Sequence, residues 1–337
     1  QMVEITTTQP PPFSIQLEFV EGCNLRCGFC GIRNIREKGD KENLSGPYKY
    51  MDPNHLEKIA SNIAGLQWNS RIEIAVHGEP TKHPQFYEMV ETIRSYLPTN
   101  SIMLTSNGIP LLDGNIVNNL NRALDAGLNC IAIDDYRPHR VAPHIRENID
   151  RIQALVVEYP EDKRGNPNKR RKSHERVVSI VQDISQAENG THSNLWNHAG
   201  SASAPDHSRI DKRCAKPFRE LTIRWDSNVA ICCDDWTGKY AIGNAYETTL
   251  NTIWQHERFI AARKALMNGR HGMTPCEGCN HNTIRNGLLP FNKGKKAQLP
   301  PITEHDWDII QEAVNETEYT QHTRREIPVA LGRVAPD

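Results

Sequence analysis

Residues 14–20, SIQLEFV, alternate apolar and polar positions with the period of two that predicts a β-strand. Residues 52–66, DPNHLEKIASNIAGL, shift to a helical period and predict a helix, with Asp52 as N-cap and Pro53 at the first helical position. The two periods then keep exchanging. Strands are predicted over 71–76 (RIEIAV), 101–106 (SIMLTS), 129–134 (NCIAID) and 176–184 (RVVSIVQDI). Helices are predicted over 83–97, closed by Pro98, over 114–127, stopped by Gly127, and over 142–159 (APHIRENIDRIQALVVEY). This alternation predicts an α/β fold with a parallel sheet and crossover helices. The strands read as apolar on both faces, as buried parallel strands do. With no glycine-rich dinucleotide loop, a partial (β/α) barrel of about five to six parallel strands fits better than a doubly wound sheet, and its chemistry belongs at the C-terminal mouth of the strands.

Between 160 and 213 the pattern dissolves. Residues 161–176 form a charged loop, and 185–208 are rich in Gly, Ser, Ala and Asn. It returns as a β-hairpin over 219–233 (RELTIRWDSNVAICC), turning at Asp226, Ser227 and Asn228. An amphipathic helix over 248–269, ended by Gly269, and a short helix around 303–316 follow. The expected organisation is an N-terminal extension (1–13), the partial barrel (14–190), a linker (191–213), a small hairpin-plus-helix module (214–292), and a C-terminal helix with a polar tail (293–337).

Composition narrows the function classes. The 337 residues are 37% hydrophobic and 24% charged with a net charge of −1, which provides for a core and gives no global attraction to nucleic acid or membrane. No apolar run approaches the ~20 residues that span a bilayer, and the first residues lack the apolar core of a secretory signal. The expectation is a cytoplasmic protein. In a reducing compartment, nine cysteines with two groups among them point to metal rather than to disulfides.

The first group is Cys23, Cys27 and Cys30, on the loop after the first strand. Zinc structural sites want four ligands, so zinc here needs a distant fourth donor. Three thiolates suit a [4Fe-4S] cluster with one iron left open, with Phe29 as its aromatic shield. The second group, Cys214, Cys232, Cys276 and Cys279, is spaced 18, 44 and 3 residues apart. Four thiolates suit either a cluster or a tetrahedral zinc ion.

The CxxxCxxC spacing with an aromatic before its last cysteine resembles the radical S-adenosylmethionine (SAM) superfamily. "HGEP", His77 to Pro80, is similar to that family's GGEP motif, with His77 where Gly is usual. The resemblance implies that Gly78, Glu79 and Pro80 hold the methionyl amine of SAM, and that Ser106 and Asn107 contact its ribose and carboxylate; an Asn-Gly turn is the plainer reading of the last two. His77 alone reads as a satisfied histidine at a turn rather than as a ligand. Asp134 and Asp135 point into the mouth toward cofactor or substrate, or one of them caps the following helix. The second group resembles the SPASM/twitch modules of the same superfamily, which implies one auxiliary [4Fe-4S] cluster on Cys214, Cys232, Cys276 and Cys279. The family's hairpin commonly has Gly where Ser227 stands, five positions before the ligating cysteine, which selects Cys232 over Cys233. Cys233 is then a small buried residue or a thiol hydrogen donor, and Cys130 a core residue.

The resemblance implies an oxidoreductase that reductively cleaves SAM to a 5′-deoxyadenosyl radical, abstracts a substrate hydrogen, and draws its electron from an external flavodoxin or ferredoxin type of reductant. The cysteine spacing is like that of family members that oxidise aminocyclitols, so the expected substrate is a small molecule such as a sugar or aminocyclitol. Epimerisation or rearrangement and peptide modification are alternative outcomes. Lys163, Arg164, Lys169, Arg170, Arg171, Lys172 and Arg176 make a basic loop that reads as solvated surface or as a contact for a nucleotide or nucleic acid base. An iron–sulfur electron carrier is the non-enzyme reading, and it leaves Glu79 unexplained. His198, Arg209 and Arg213 stand as residues facing substrate or as ordinary surface. The catalytic base is not legible.

Overall fold

A computed structural model of the chain describes residues 9–25, 27, 30–32, 48–136, 140–159, 176–181, 197–201, 211–281 and 299–326. Phe29, Arg209, the side chain of His198, and the basic loop apart from Arg176 lie outside the described residues.

The first half runs β1 (Ser14–Leu17), β2 (Val20–Glu21), β3 (Lys49–Tyr50), α1 (Pro53–Gly65), β4 (Arg71–Ile74), α2 (Phe86–Tyr96), β5 (Ile102–Ser106), α3 (Ile116–Ala126) and β6 (Cys130–Asp134). It continues through α4 (Ala142–Arg146), β7 (Leu155–Tyr159) and β8 (Val177–Val181). The remainder is β9 (Glu220–Ile223), β10 (Asn228–Ala230), β11 (Gly243–Asn244), α5 (Leu250–Trp254), α6 (Glu257–Leu266) and α7 (Glu304–Glu326). Among the described residues one nine-stranded sheet runs β11-β10-β9-β1-β4-β5-β6-β8-β7, parallel from β9 through β7, with β10 and β11 added antiparallel.

Register explains the packing. Ile223, Leu17, Ile74, Leu104, Ile131 and Val178 stand side by side across six strands, and all are buried. The neighbouring row begins polar, where Thr222 and Glu73 flank Gln16, whose amide donates to Glu73 at 3.1 Å and accepts from the Thr222 hydroxyl at 2.8 Å, and turns apolar at Met103, Cys130 and Val177. Strands β6 and β8 are therefore apolar on both faces, whereas β9, β1 and β4 carry polar side chains on one, because successive side chains alternate sides. α1, α2 and α3 bury Leu56, Ile59, Ile63, Met89, Val90, Ile93, Leu120 and Leu124 in the apolar core. Asp52 caps α1 by accepting from Asn54 N at 2.8 Å, and Gly127, at φ 129°, ends α3.

Three expected helices differ from the observed ones. The span 142–159 holds only the five residues of α4 and a short 3-10 turn before Leu-Val-Val-Glu-Tyr becomes β7 on the sheet edge. β-branched residues favour the pleated strand, and pairing with β8 overrides the helical spacing. The span 248–269 is two helices, because His256 leaves the helical region at ψ 145° and caps α6, its ring nitrogen accepting from Arg258 N at 3.2 Å. The C-terminal helix extends to Glu326, beyond the expected short segment. Asp306 anchors its start, accepting from Thr303 N at 2.8 Å and Lys264 Nζ at 2.8 Å.

Ser227, at the hairpin turn, takes φ 68° and is fully buried, with its hydroxyl 3.0 Å from His55 Nδ1. A side chain in the left-handed region costs about 1 kcal/mol or more, and the hydroxyl contact returns about as much. Ser227→Ala keeps the strain and loses the contact, whereas Ser227→Gly loses both. Urea denaturation is therefore expected to rank the glycine variant above the alanine variant by about 1 kcal/mol.

Candidate active site at the mouth of the sheet

The C-terminal ends of β1, β4, β5 and β6 build one mouth. After β1 the chain passes Glu21 and Gly22 into the first cysteine loop, and Gly22 bridges Gly78 beyond β4. Glu79 N donates to Gly22 O at 2.8 Å. A side chain at 78 has no room, since a Cβ there collides with the carbonyl oxygens of Val20 and Gly22. Gly78 thus lets the backbone beyond β4 lie directly against the root of the cysteine loop.

Glu79 is buried and ties the strand ends together. Its Oε1 accepts from Thr81 N (3.1 Å), Thr81 Oγ1 (2.6 Å) and Ser106 Oγ (2.7 Å), and its Oε2 from Asn107 N (2.7 Å). Burial pushes its carboxyl up, against the pull of these donors. Pro80 starts a 3-10 turn, with Glu79 as its cap. The Ser106 hydroxyl is occupied by Glu79 and by Gly108 N at 2.9 Å. Asn107 donates through Nδ2 to Cys23 Sγ at 3.5 Å and Asn24 Oδ1 at 3.0 Å, and accepts from Ile109 N at 3.0 Å, as an Asn-Gly turn does. Glu79, Asn107 and Cys23 are therefore linked, and Ser106 serves Glu79.

The two aspartates separate. Asp135 is buried and accepts from Arg140 N (3.1 Å), Val141 N (3.3 Å) and Ala142 N (2.8 Å), so it holds the start of α4, whose N-cap position is Val141. Asp134 remains at the mouth, where burial, with the Glu79 charge second, pushes its carboxyl up to about 7. Tyr136, which sequence reasoning missed, lies beside Asp134 and the first cysteines; burial foremost and then these charges hold its hydroxyl well above the usual range. The native form thus keeps a proton on Asp134 that the unfolded chain releases near 3.8. As pH rises from about 4 to about 7 this residue withdraws stability, and Asp134→Asn is expected to flatten that decline in urea midpoints of the metal-free protein.

Burial, with the neighbouring cysteines second, pushes the Cys27 thiol up to about 12, and burial also lifts Cys23 to about 11. Three thiols, Glu79 and Asp134 thus crowd a space where each raises another's cost of ionisation. Such a donor set fits a cationic iron centre and a sulfonium or ammonium ligand, which would compensate it.

Cys214, Cys232, Cys276 and Cys279 are all buried. Burial dominates the upward push on each thiol; Cys214 and Cys279 add to it at Cys276, and Cys276 at Cys232. Asp234 N donates to Cys232 Sγ and His281 N to Cys279 Sγ, both at 3.4 Å, the backbone-to-sulfur contacts typical of ligating thiolates. Arg270 braces the segment through Cys279 O at 2.9 Å and His281 O at 2.6 Å. Cys233 turns its sulfur instead to the buried Lys216, 2.8 Å away. Spacing along the chain does not mark Lys216; its role follows from this contact across the fold. Cys130 is buried in β6. Among the described residues, no three His, Cys, Asp or Glu side chains converge on one point as a mononuclear ion requires. Of the outlying candidates, Arg213 is exposed, and Arg176 pairs with Asp125 at 2.7 Å. Among the described residues no helix is long and apolar enough to cross a membrane.

Comparison with known proteins agrees with this geometry. The family model of the Radical SAM superfamily matches residues 17–198, and that of SPASM, an iron-sulfur cluster-binding domain, matches residues 214–280. The S-adenosyl-L-methionine-dependent 2-deoxy-scyllo-inosamine dehydrogenase of Niallia circulans is 23% identical over 278 residues, covering 80% of this chain and 94% of the relative. GTP 3′,8-cyclase of Haemophilus ducreyi is 31% identical over 94 residues, 28% of this chain and 25% of the relative. Among solved structures, BtrN in complex with AdoMet and 2-DOIA has a TM-score of 0.59 at 18% identity, covering 87% of this chain and 98% of its own. BtrN in an open conformation scores 0.52 at 18% identity, over 81% and 94%. The family uses SAM with a [4Fe-4S] cluster, and the second matched domain carries auxiliary iron–sulfur chemistry. With more than half of its length matched by the superfamily model, the chain belongs to the radical SAM superfamily.

Proposed function

We propose that this protein is a radical SAM dehydrogenase that oxidises a hydroxyl-bearing carbon of a small molecule, of the sugar or aminocyclitol class, to a ketone. The observation that carries the reading is the crowding of Cys23, Cys27, Glu79 and Asp134 at one mouth, in a chain that holds four further buried thiols in a second group. Similarity to the Niallia circulans dehydrogenase over 94% of its length supports the same reading. When bound, a reduced cluster on Cys23, Cys27 and Cys30 supplies the electron that splits SAM and yields the radical that takes the substrate hydrogen, and one auxiliary cluster on Cys214, Cys232, Cys276 and Cys279 supplies an acceptor for the second electron.

The chain's own residues bind, orient and manage the proton. Gly78 lets the strand end approach the cysteine loop. Glu79 Oε2, with one protein donor, has a lone pair left for the methionyl ammonium. Asn107 holds Cys23 in place, and Pro80 and Ser106 support Glu79. An alcohol that loses hydrogen from carbon must also release its hydroxyl proton. Asp134, a carboxylate at the same mouth, is the group placed to accept that proton. An external flavodoxin or ferredoxin type of reductant and a cytoplasmic setting belong to the same proposal, since cysteine groups spaced for iron–sulfur ligation fit a reducing compartment.

The test is anaerobic incubation of iron-replete protein with dithionite, SAM and a panel of aminocyclitols that includes 2-deoxy-scyllo-inosamine. The expected result is 5′-deoxyadenosine and ketone in equal amounts for at least one alcohol. Absence of 5′-deoxyadenosine above control would overturn radical generation. Its formation without ketone from any alcohol would overturn the dehydrogenase assignment.

A further inference from the structure

His77 stands immediately before Gly78, at a position where glycine is usual in the family it resembles. Its side chain is 1% exposed. Nδ1 lies 2.8 Å from Glu18 Oε1, at the end of β1, and Nε2 lies 2.9 Å from the carbonyl oxygen of Cys233. Nε2 thus hydrogen-bonds to the Cys233 carbonyl, and Nδ1 sits in close contact with the Glu18 carboxylate.

Each partner is itself fixed. Glu18 is fully buried, and its Oε2 accepts from Trp225 N at 3.1 Å with Arg224 Nε 3.6 Å away. Burial pushes the Glu18 carboxyl up, but His77, Arg224 and Trp225 outweigh it and hold it below the usual carboxylate range. On its flat face the imidazole meets the indole of Trp236, with ring centroids 4.4 Å apart. The same indole lies against Gly31, the residue after Cys30, so closely that a Cβ on Gly31 would collide with it. One imidazole therefore touches the strand end of the mouth, the peptide next to Cys232, and the ring that covers the first cysteine loop.

We propose that His77 is a positioning residue that sets the auxiliary-cluster loop, Cys232–Trp236, in register with the SAM-binding strand end at Gly78 and Glu79. A glycine at 77 leaves the Cys233 carbonyl and the Glu18 carboxylate without their partner in a dry interior, where an unsatisfied group is costly. The loop must then shift to find other donors, and Cys232 shifts with it. The inference rests on the reading that both thiol groups hold clusters.

The experiment uses the full chain, reconstituted anaerobically, with Cys23, Cys27 and Cys30 replaced by alanine so that only the auxiliary site takes up iron. Iron content, the EPR spectrum of the reduced protein and its midpoint potential are compared for His77, His77→Gly and His77→Gln. The expected result is iron in all three, altered g values and potential in the glycine variant, and recovery in the glutamine variant, whose amide can donate to the Cys233 carbonyl. In the protein with all cysteines present, His77→Gly is expected to form less ketone per 5′-deoxyadenosine, with glutamine restoring the ratio. A glycine variant with unchanged spectrum and potential would overturn the proposal, as would a glutamine variant displaced as far as the glycine one. Absence of iron with His77 intact would overturn the auxiliary-cluster reading itself. If the glycine variant does not accumulate folded, His77→Asn takes its place under the same criteria, since its amide is too short to span the gap.

Discussion

Replacing any one of Cys23, Cys27 or Cys30 by alanine is expected to abolish 5′-deoxyadenosine formation, whereas Cys276→Ala is expected to spare it and abolish ketone. The first loop offers three thiols and no fourth, so loss of one leaves two donors for a centre that needs three. Asn107 Nδ2 and Leu25 N point at Cys23 Sγ, and they are donors that cannot take the place of the thiolate. A fall of more than about a thousandfold, about 4 kcal/mol in barrier, is expected for SAM cleavage. Cys276 belongs to the other group, where its neighbours are Cys214, Cys279 and Cys232. Chromatography of 5′-deoxyadenosine together with iron analysis separates the two classes. Each substitution should lower iron from about eight to about four atoms per chain, as two four-iron clusters require. Ketone formation at the normal ratio in Cys276→Ala would count against an electron acceptor in the second module.

Gly78→Ala is the second large effect. The neighbours that a Cβ would strike are backbone, the carbonyl oxygens of Val20 and Gly22, and they are held by the β2–β3 pair and by the Gly22–Gly78 bridge. Backbone cannot rotate away as a side chain can, so relief requires the cysteine loop and the strand end to part. A cost of about 3 kcal/mol, at the upper end for overpacking, is expected in urea denaturation of the metal-free protein. The same separation moves Cys23 from Asn107 and Glu79 from Gly22, so iron uptake should fall in parallel. Gly65→Ala is the control, because no atom lies within 4 Å of a Cβ there and α1 ends at that residue. Its midpoint should be unchanged or slightly higher.

Much of the frame is legible in the sequence because it rests on short-range rules. Asp52 followed by Pro53 starts a helix whatever packs on it, and Gly127 stops one. The cysteine spacing is equally local, since three thiols within eight residues are close enough along the chain to reach one centre. What escaped depends on distant partners. Leu155–Tyr159 carries helical spacing and strand-forming residues together, and only its pairing with β8 decides between them. Asp134 and Asp135 are chemically alike, and three backbone donors between Arg140 and Ala142 tie the second to the start of α4 and leave the first at the mouth. The family resemblance assigns Ser106 to the cofactor, and its hydroxyl bond to Glu79, from a different strand end, is a contact that spacing does not reveal. Lys216 and His77 owe their meaning to Cys233, 17 and 156 residues away.

β9 lies beside β1, with Ser14 opposite Glu220 and Leu17 opposite Ile223. The strand that delivers the chain to Cys23 is therefore an interior strand only because the C-terminal module covers one flank. A chain ending before Glu220 would expose that flank as a bare ladder of amides and carbonyls, the kind of edge that recruits other chains into aggregates. The second module is thus a protective wall for the first as well as a holder of metal, and a shortened enzyme that retains every superfamily cysteine motif of its first half should still precipitate.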